Sequence, residues 1–199
     1  MKVQAIQAIL SLLMAFFAGI TTKGYTVPYT WEVPAQIDSM TLRLDCQATY
    51  PGYWYWNYGV RSIDVLDAQE NVLQTLSVSE EEGWEVTNCW ERNGDIFLED
   101  LNFDGIPDIR LMLTSGVVNI SYMCWLWNPE LEQYAYKFIL NGYDVIVDND
   151  IQEIITMSRD GWGQYYIDYF KYNNEEELYH YKQVHEDMVE ETTTTTIYD

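Results

Sequence analysis

Residues 99–111 read EDLNFDGIPDIRL and place a tight, acidic bend between two apolar stretches. Oxygen-bearing side chains fall on alternate positions at Asp100, Asn102 and Asp104, and another follows at Asp108. Like charges gathered at one bend repel each other, so such a turn loses stability unless a cation neutralises it. Calcium takes about six to eight hard oxygen ligands, and calcium loops supply them from alternate positions. The spacing therefore predicts a calcium site.

The predicted ligands are the side chains of that set together with the backbone carbonyl of Ile106, and Gly105 permits the sharp turn. The loop departs from a helix-flanked EF-hand, because Leu111 stands where that loop has a glutamate and Pro107 lies inside it. Waters or Glu99 would complete the shell. The alternative is an acidic turn without metal, closed by hydrogen bonds to its own backbone.

Short runs of alternating apolar and polar residues, separated by turn signals, surround this loop. They predict hairpins from 62–67 with 71–78, 122–128 with 132–140, and 151–158 with 164–172, and further strands at 95–100, 108–113 and 177–184. Convincing amphipathic helices are scarce in the same region. We therefore expect a single all-β domain over residues 25–185, built of antiparallel hairpins as a small β-propeller-like domain or a β-sandwich.

The net charge of −22, from 32 acidic and 10 basic residues, limits the partners of this chain. Nucleic acid is excluded as a partner, because its recognition requires a basic footprint. Cations, basic proteins and neutral sugars remain. The alternative is that the acidity only keeps the protein soluble.

The two ends of the chain differ from its centre. Residues 5–20 are mostly apolar and follow Lys2, which predicts a signal peptide over residues 1–24 and an exported protein, whether periplasmic, on the cell surface or secreted. An uncleaved membrane anchor is the alternative. Residues 186–199 are acidic and low in complexity, and we expect them to form a flexible tail.

Three cysteines occur, and export permits a disulfide between two of them. A Cys46–Cys89 bridge is one candidate, although the sequence does not select the pairing. Cys124 lies in the apolar run YMCWLW and is expected to be a buried thiol. The spacing of these cysteines does not indicate a zinc site.

The segment YPGYWYWNYG, residues 50–59, is unusually aromatic. In a strand, Trp54, Trp56 and Tyr58 would share one face, where they could stack on sugar rings. The alternative is that this face packs into the core.

The chain shows little that indicates catalysis. Asp144, Asp148 and Asp150 offer carboxylate pairs, but an acidic chain supplies such pairs by chance. His180 and His185 are expected to be solvated residues rather than a base or metal ligands. Nucleophile elbows and phosphate loops are missing from the sequence. We expect a protein that is not an enzyme.

The loop between its two strands resembles the calcium-loop turns of FG-GAP and VCBS-type β-propeller repeats. The ordered set SIDVLDAQENVLQTL, FLEDLNFDGIPDIRL, WLWNPELEQY and YYIDYFKYNNEEELYHYKQV, within residues 60–184, is similar to exported bacterial propeller-like immunity proteins that inhibit lysozyme-like effectors of type IV secretion. The resemblance implies a propeller-like domain outside the cytoplasm, with calcium at Asp100, Asn102, Asp104, Ile106 and Asp108.

Two classes of function follow. One is an exported calcium-binding protein-interaction domain, an inhibitor or immunity protein whose acidic face binds a basic partner such as a lysozyme-like hydrolase. The other is a carbohydrate- or cell-wall-binding module that uses residues 53–58. Ionic strength distinguishes them, because charge-driven docking weakens steeply with salt and sugar stacking does not.

Overall fold

The structure is a computed structural model, which describes residues 25–50, 56–83, 85–116 and 118–198. The proposed signal peptide and Trp54 lie outside these residues. Among the helices of the described ranges, none has the length and apolar character needed to cross a membrane.

Strands make up 63% of the described chain. The first eight are β1 (Tyr25–Pro34), β2 (Thr41–Tyr50), β3 (Asn57–Leu66), β4 (Val72–Ser77), β5 (Ile96–Glu99), β6 (Asp108–Ser115), β7 (Ile120–Asn128) and β8 (Gln133–Gly142). The last five are β9 (Asp144–Asp148), β10 (Glu153–Arg159), β11 (Gln164–Tyr172), β12 (Leu178–Asp187) and β13 (Thr192–Ile197). One short helix, α1 (Val78–Glu82), follows β4 and is capped by the Ser77 side chain.

The strands form three antiparallel sheets, each from consecutive strands. The first sheet has the order β1-β2-β3-β4, the middle sheet β5-β6-β7-β8, and the third sheet β13-β12-β11-β10-β9. The all-β prediction is confirmed, as are the predicted hairpins. None of the three sheets closes into a barrel within the described strands.

The middle sheet lies between the other two and is buried on both faces. Along β7, Met123 and Trp125 belong to a core shared with the first sheet, whereas Cys124 and Leu126 belong to a core shared with the third sheet. Successive strand residues point to opposite faces, so a strand with two cores reads as one continuous apolar run. This explains why the run YMCWLW does not alternate with polar residues.

Two expectations about the chain differ from the structure. Residues 186–199 were expected to be a flexible tail, but β12 continues to Asp187 and Thr192–Ile197 pairs with it as β13. Threonine is β-branched and suits a strand, which the low complexity of the segment obscured. The β-domain therefore extends beyond residue 185 through β13.

The Cys46–Cys89 bridge is not formed, since all three cysteines are free and buried. Cys89 lies 2.9 Å from the Thr87 hydroxyl. Burial raises the pKa of the Cys46 thiol to about 11 and that of Cys89 to about 12. Burial likewise raises the pKa of Cys124, in agreement with its predicted place in the core.

Candidate calcium-binding loop

The candidate loop, residues 100–107, connects β5 to β6 at the entry to the middle sheet. Glu99 at the end of β5 pairs with Asp108 at the start of β6, so the ladder itself closes the loop. Phe103 and Gly105 have positive φ values of 63° and 87°. Glycine meets little penalty there, and its neighbourhood leaves room for a Cβ, so the turn conformation alone requires Gly105.

Three of the predicted ligands turn their oxygens toward the backbone amides of their own loop. Asp100 accepts from the amides of Asp104, at 3.1 Å, and Gly105, at 2.9 Å. Asp104 accepts from the Ile106 amide at 2.8 Å, and Asn102 accepts from the Asp104 amide at 3.2 Å. Each carboxylate offers about four acceptor positions, so these bonds leave capacity for a cation.

Asp108 has a different environment from the other ligands. Its side chain is 0 % exposed, and its two oxygens accept the amides of Leu101 and Trp127, each at 2.8 Å. Burial raises the pKa of Asp108 to about 7, and the charges of Asp104 and Asp100 add to the shift. Asp108 thus ties the start of the loop to β7 and carries a charge that the protein stabilises poorly.

Two buried tyrosines share this environment. The hydroxyls of Tyr134 and Tyr172 have no hydrogen-bond partner among the described residues. Burial, and in second place the charge of Asp108, raises the pKa of both. Tyr172 also meets Phe103 of the loop edge-on, with ring centroids 6.2 Å apart. The loop is therefore packed against β11 of the third sheet.

Glu99, the alternative to water for completing the shell, is engaged by Arg110. Both of its carboxylate oxygens accept from Arg110, at 2.8 Å from Nε and 3.0 Å from the Nη2 nitrogen. The Arg110 guanidinium is itself held between the rings of Phe97 and Tyr122, at 4.2 and 4.6 Å from their centroids. The positive charge of Arg110, two residues after Asp108, is thereby paired with Glu99 rather than with a carboxylate of the loop.

The described residues contain no group of three His, Cys, Asp or Glu side chains close enough to share a metal ion. The two oxygens of Asp108 face the amides of Leu101 and Trp127. The donor set at the loop consists of Asp100, Asp104, an asparagine and the Ile106 carbonyl. Such a set fits calcium only if water fills several positions, and it corresponds to modest affinity.

The aromatic segment is only partly described. Trp56 is 39 % exposed and its ring lies against Tyr50, with centroids 5.4 Å apart. Tyr58 is half-buried in β3, meets Tyr29 edge-on and exchanges backbone hydrogen bonds with Cys89. Tyr58 is thus part of the protein interior, and the structure does not bring it together with Trp56 as one exposed platform.

Sequence reasoning missed one polar pair. His180, expected to be solvated, places Nε2 2.9 Å from Asp168 Oδ1, and its ring lies between Phe170 and Tyr198. Gln183 donates to the same carboxylate at 2.7 Å. The pairing of β11 with β12 brings these residues together, and sequence alternation within each strand could have indicated only that they share a face.

The other carboxylates considered earlier form local turns. Asp144 accepts the Val145 amide at 2.9 Å, and Asp148 accepts the Asp150 amide at 3.0 Å. These bonds give the carboxylates of Asp144 and Asp148 partners in the neighbouring backbone.

Comparison with protein-family models, with characterised proteins and with solved structures finds no match to this chain.

Proposed function

We propose that this chain is an exported calcium-binding protein-interaction domain that does not catalyse a reaction. Its partner is a basic protein, and the class we favour is a cell-wall hydrolase of the lysozyme type, which the domain inhibits as an immunity protein would. The observation that carries the proposal is the loop of residues 100–108, whose oxygens are gathered between two ladder-paired strands.

The charge at the loop supports a cation. Asp100, Asp104 and Asp108 lie close enough that the first two raise the pKa of the third. Arg110 is committed to Glu99 and cannot neutralise them. A calcium ion held by Asp100, Asn102, Asp104 and the Ile106 carbonyl, with water and Asp108 at its periphery, would supply the missing positive charge.

The overall charge supports a basic partner. A net charge of −22 creates a field that attracts cationic proteins and raises their rate of association.

The architecture supports a propeller-like arrangement, since each sheet is an up-and-down meander of consecutive strands, the pattern of a propeller blade.

The calcium proposal is tested by melting the protein in calcium and in chelator. A ligand that binds only the folded state stabilises it by RT ln(1 + [Ca]/Kd), about 2.7 kcal/mol at a hundredfold excess over Kd. Asp104→Ala should lower the melting temperature more in calcium than in chelator, where only its hydrogen bonds to the Ile106 amide and the Asn102 side chain are lost. Magnesium should replace calcium poorly, because it demands a tighter octahedral shell.

Asp67→Ala is the matched control. Asp67 also closes a strand-connecting turn, by accepting the amides of Gln69 and Asn71 at 2.8 Å, but it lies in another sheet. The Asp67→Ala substitution should lower the melting temperature by the same amount in calcium as in chelator. A wild-type protein that melts at one temperature in both buffers refutes the calcium site.

The partner proposal is tested with a purified basic lysozyme. The protein should slow lysis of a peptidoglycan suspension and bind the enzyme with an affinity that falls steeply between low and moderate salt. An affinity that does not change with salt concentration would instead favour the alternative, a carbohydrate- or cell-wall-binding module. The exposed Trp56 ring beside Tyr50 is the observation that favours this second candidate.

A further inference from the structure

The free edge of β13 has the features of a site for an added strand. β13 is the outermost strand of the third sheet, and all six of its residues are exposed. β1, an edge strand of the first sheet, is protected differently, because Pro28 and Pro34 have no backbone N–H to donate. Edge strands are usually protected by proline, lysine or a bulge, and β13 carries none of these.

The ladder shows which backbone groups are available. The Tyr198 amide donates to the Tyr181 carbonyl at 2.9 Å, so Tyr198 faces β12. In an antiparallel ladder, residues alternate between facing the partner strand and facing away from it. Thr193, Thr195 and Ile197 therefore present their N–H and C=O groups to the open edge, in the spacing that an incoming strand requires.

An apolar patch lies where β13 begins. Trp162, Met188 and Val189 are 84 %, 65 % and 59 % exposed. The turns that carry them are joined, because the Met188 amide donates to the Gly163 carbonyl at 2.8 Å. Exposed apolar side chains carried by adjoining turns mark binding surfaces more often than isolated ones do.

The charge near the open edge of β13 indicates which kind of chain segment would bind there. Glu190 and Glu191 are exposed directly before β13, and no basic residue lies within the strand. A second copy of the chain would bring another net charge of −22, and repulsion opposes its approach. A basic segment is attracted by the same field.

We propose that β13 binds an extended, basic segment of a partner protein, which adds to the third sheet as a sixth strand and places an apolar side chain on Trp162, Met188 and Val189. The inference rests on the proposed function, because it names the surface through which the basic partner docks. Main-chain hydrogen bonds along β13 would set the register of the added strand. The acidic turn before β13 and the apolar patch would favour a segment that carries basic and apolar side chains.

The test uses a capped twelve-residue peptide of alternating lysine and valine, titrated against the full chain in calcium. Thr195→Pro removes an N–H that faces the open edge, a position where a strand tolerates proline. Thr195→Val is the matched control, because it keeps the backbone donor and the β-branched shape. We expect the proline variant to bind at least about tenfold more weakly and the valine variant to stay within about twofold of wild type.

A second measurement does not depend on a variant that folds. Hydrogen exchange of the Thr193, Thr195 and Ile197 amides should slow when the peptide is bound, while the Thr194 and Thr196 amides, already bonded to β12, should change little. A peptide of alternating glutamate and valine should not bind.

Several results would overturn the inference. They are equal binding of the basic peptide to the proline and valine variants, unchanged exchange at the edge amides, or no binding of the basic peptide at all. Self-association that the proline substitution abolishes would identify a second copy as the occupant and refute the basic segment. A lysozyme that binds wild type and Thr195→Pro equally would place docking on another surface and leave the proposed function standing.

Discussion

Asp108 should make the stability of the calcium-free protein fall as pH rises. Burial raises its folded-state pKa from 3.8 to about 7, so the folded protein keeps this proton over a range in which the unfolded chain has lost it. Where the folded state binds more protons, the free energy of unfolding decreases with increasing pH. The stabilising proton is fully present below about pH 4 and is lost as pH passes through about 7.

The magnitude follows from the shift. A change from 3.8 to about 7 corresponds to about 4 kcal/mol, at about 1.4 kcal/mol per pKa unit. Asp108→Asn removes the titration but also an acceptor, because an amide nitrogen cannot accept from Leu101 or Trp127. That loss costs about 1–3 kcal/mol at every pH. Wild type should therefore be the more stable protein near pH 4 and lose that advantage by about pH 8.

The assay is urea denaturation followed by circular dichroism, in chelator, at several pH values between about 4 and 8. The difference between wild type and Asp108→Asn isolates Asp108 from the general repulsion among the other acidic residues. Asp160→Asn is the control for the loss of one exposed carboxylate outside the loop. The reasoning is refuted if the difference in free energy of unfolding between wild type and Asp108→Asn does not change with pH.

Two further predictions concern the core around the loop. Arg110→Lys keeps the charge but loses the two-pronged contact with Glu99 and the stacking between two rings, so urea denaturation should show a loss of about 2 kcal/mol. Arg43→Lys, at a longer and more exposed ion pair, should cost less than about 1 kcal/mol, and equal losses would contradict the argument. The three free thiols should resist a thiol reagent in the folded protein and react in denaturant, because burial and raised pKa values suppress the thiolate; rapid reaction of the native protein would contradict their burial.

The sequence predicted most strands after residue 60 but not β2, although Leu42, Leu44 and Cys46 alternate with polar residues there. Residues 122–128 and 132–140 were predicted as a hairpin, and β7 and β8 occupy Ile120–Asn128 and Gln133–Gly142. β1 was not identified, because Pro28 and Pro34 suggest a broken edge. β9 was not identified, because it is only five residues long and begins and ends with aspartate.

The candidate loop was predictable from its own residues, whereas its surroundings were not. Alternate oxygens and Gly105 lie within nine consecutive positions, and local hydrogen bonds then determine the turn. The role of Asp108 depends on the Trp127 amide, which comes from a strand whose register the sequence does not specify. The contact of Glu99 with Arg110 was not predictable for the same reason, since Arg110 reaches it only across the β5–β6 pair.

The position of the loop explains why a bound cation would affect the whole fold. β5 and β6 belong to the middle sheet, and Ile109 and Met112 of β6 contribute to different cores. Asp108 connects the loop to β7, and Phe103 connects it to Tyr172 of the third sheet. Charge repulsion in the loop therefore acts on a strand that both cores require. Neutralising that charge stabilises a strand that packs in both cores. On our proposal, calcium should therefore raise the melting temperature of a single cooperative transition of the whole domain, rather than stabilise the loop alone.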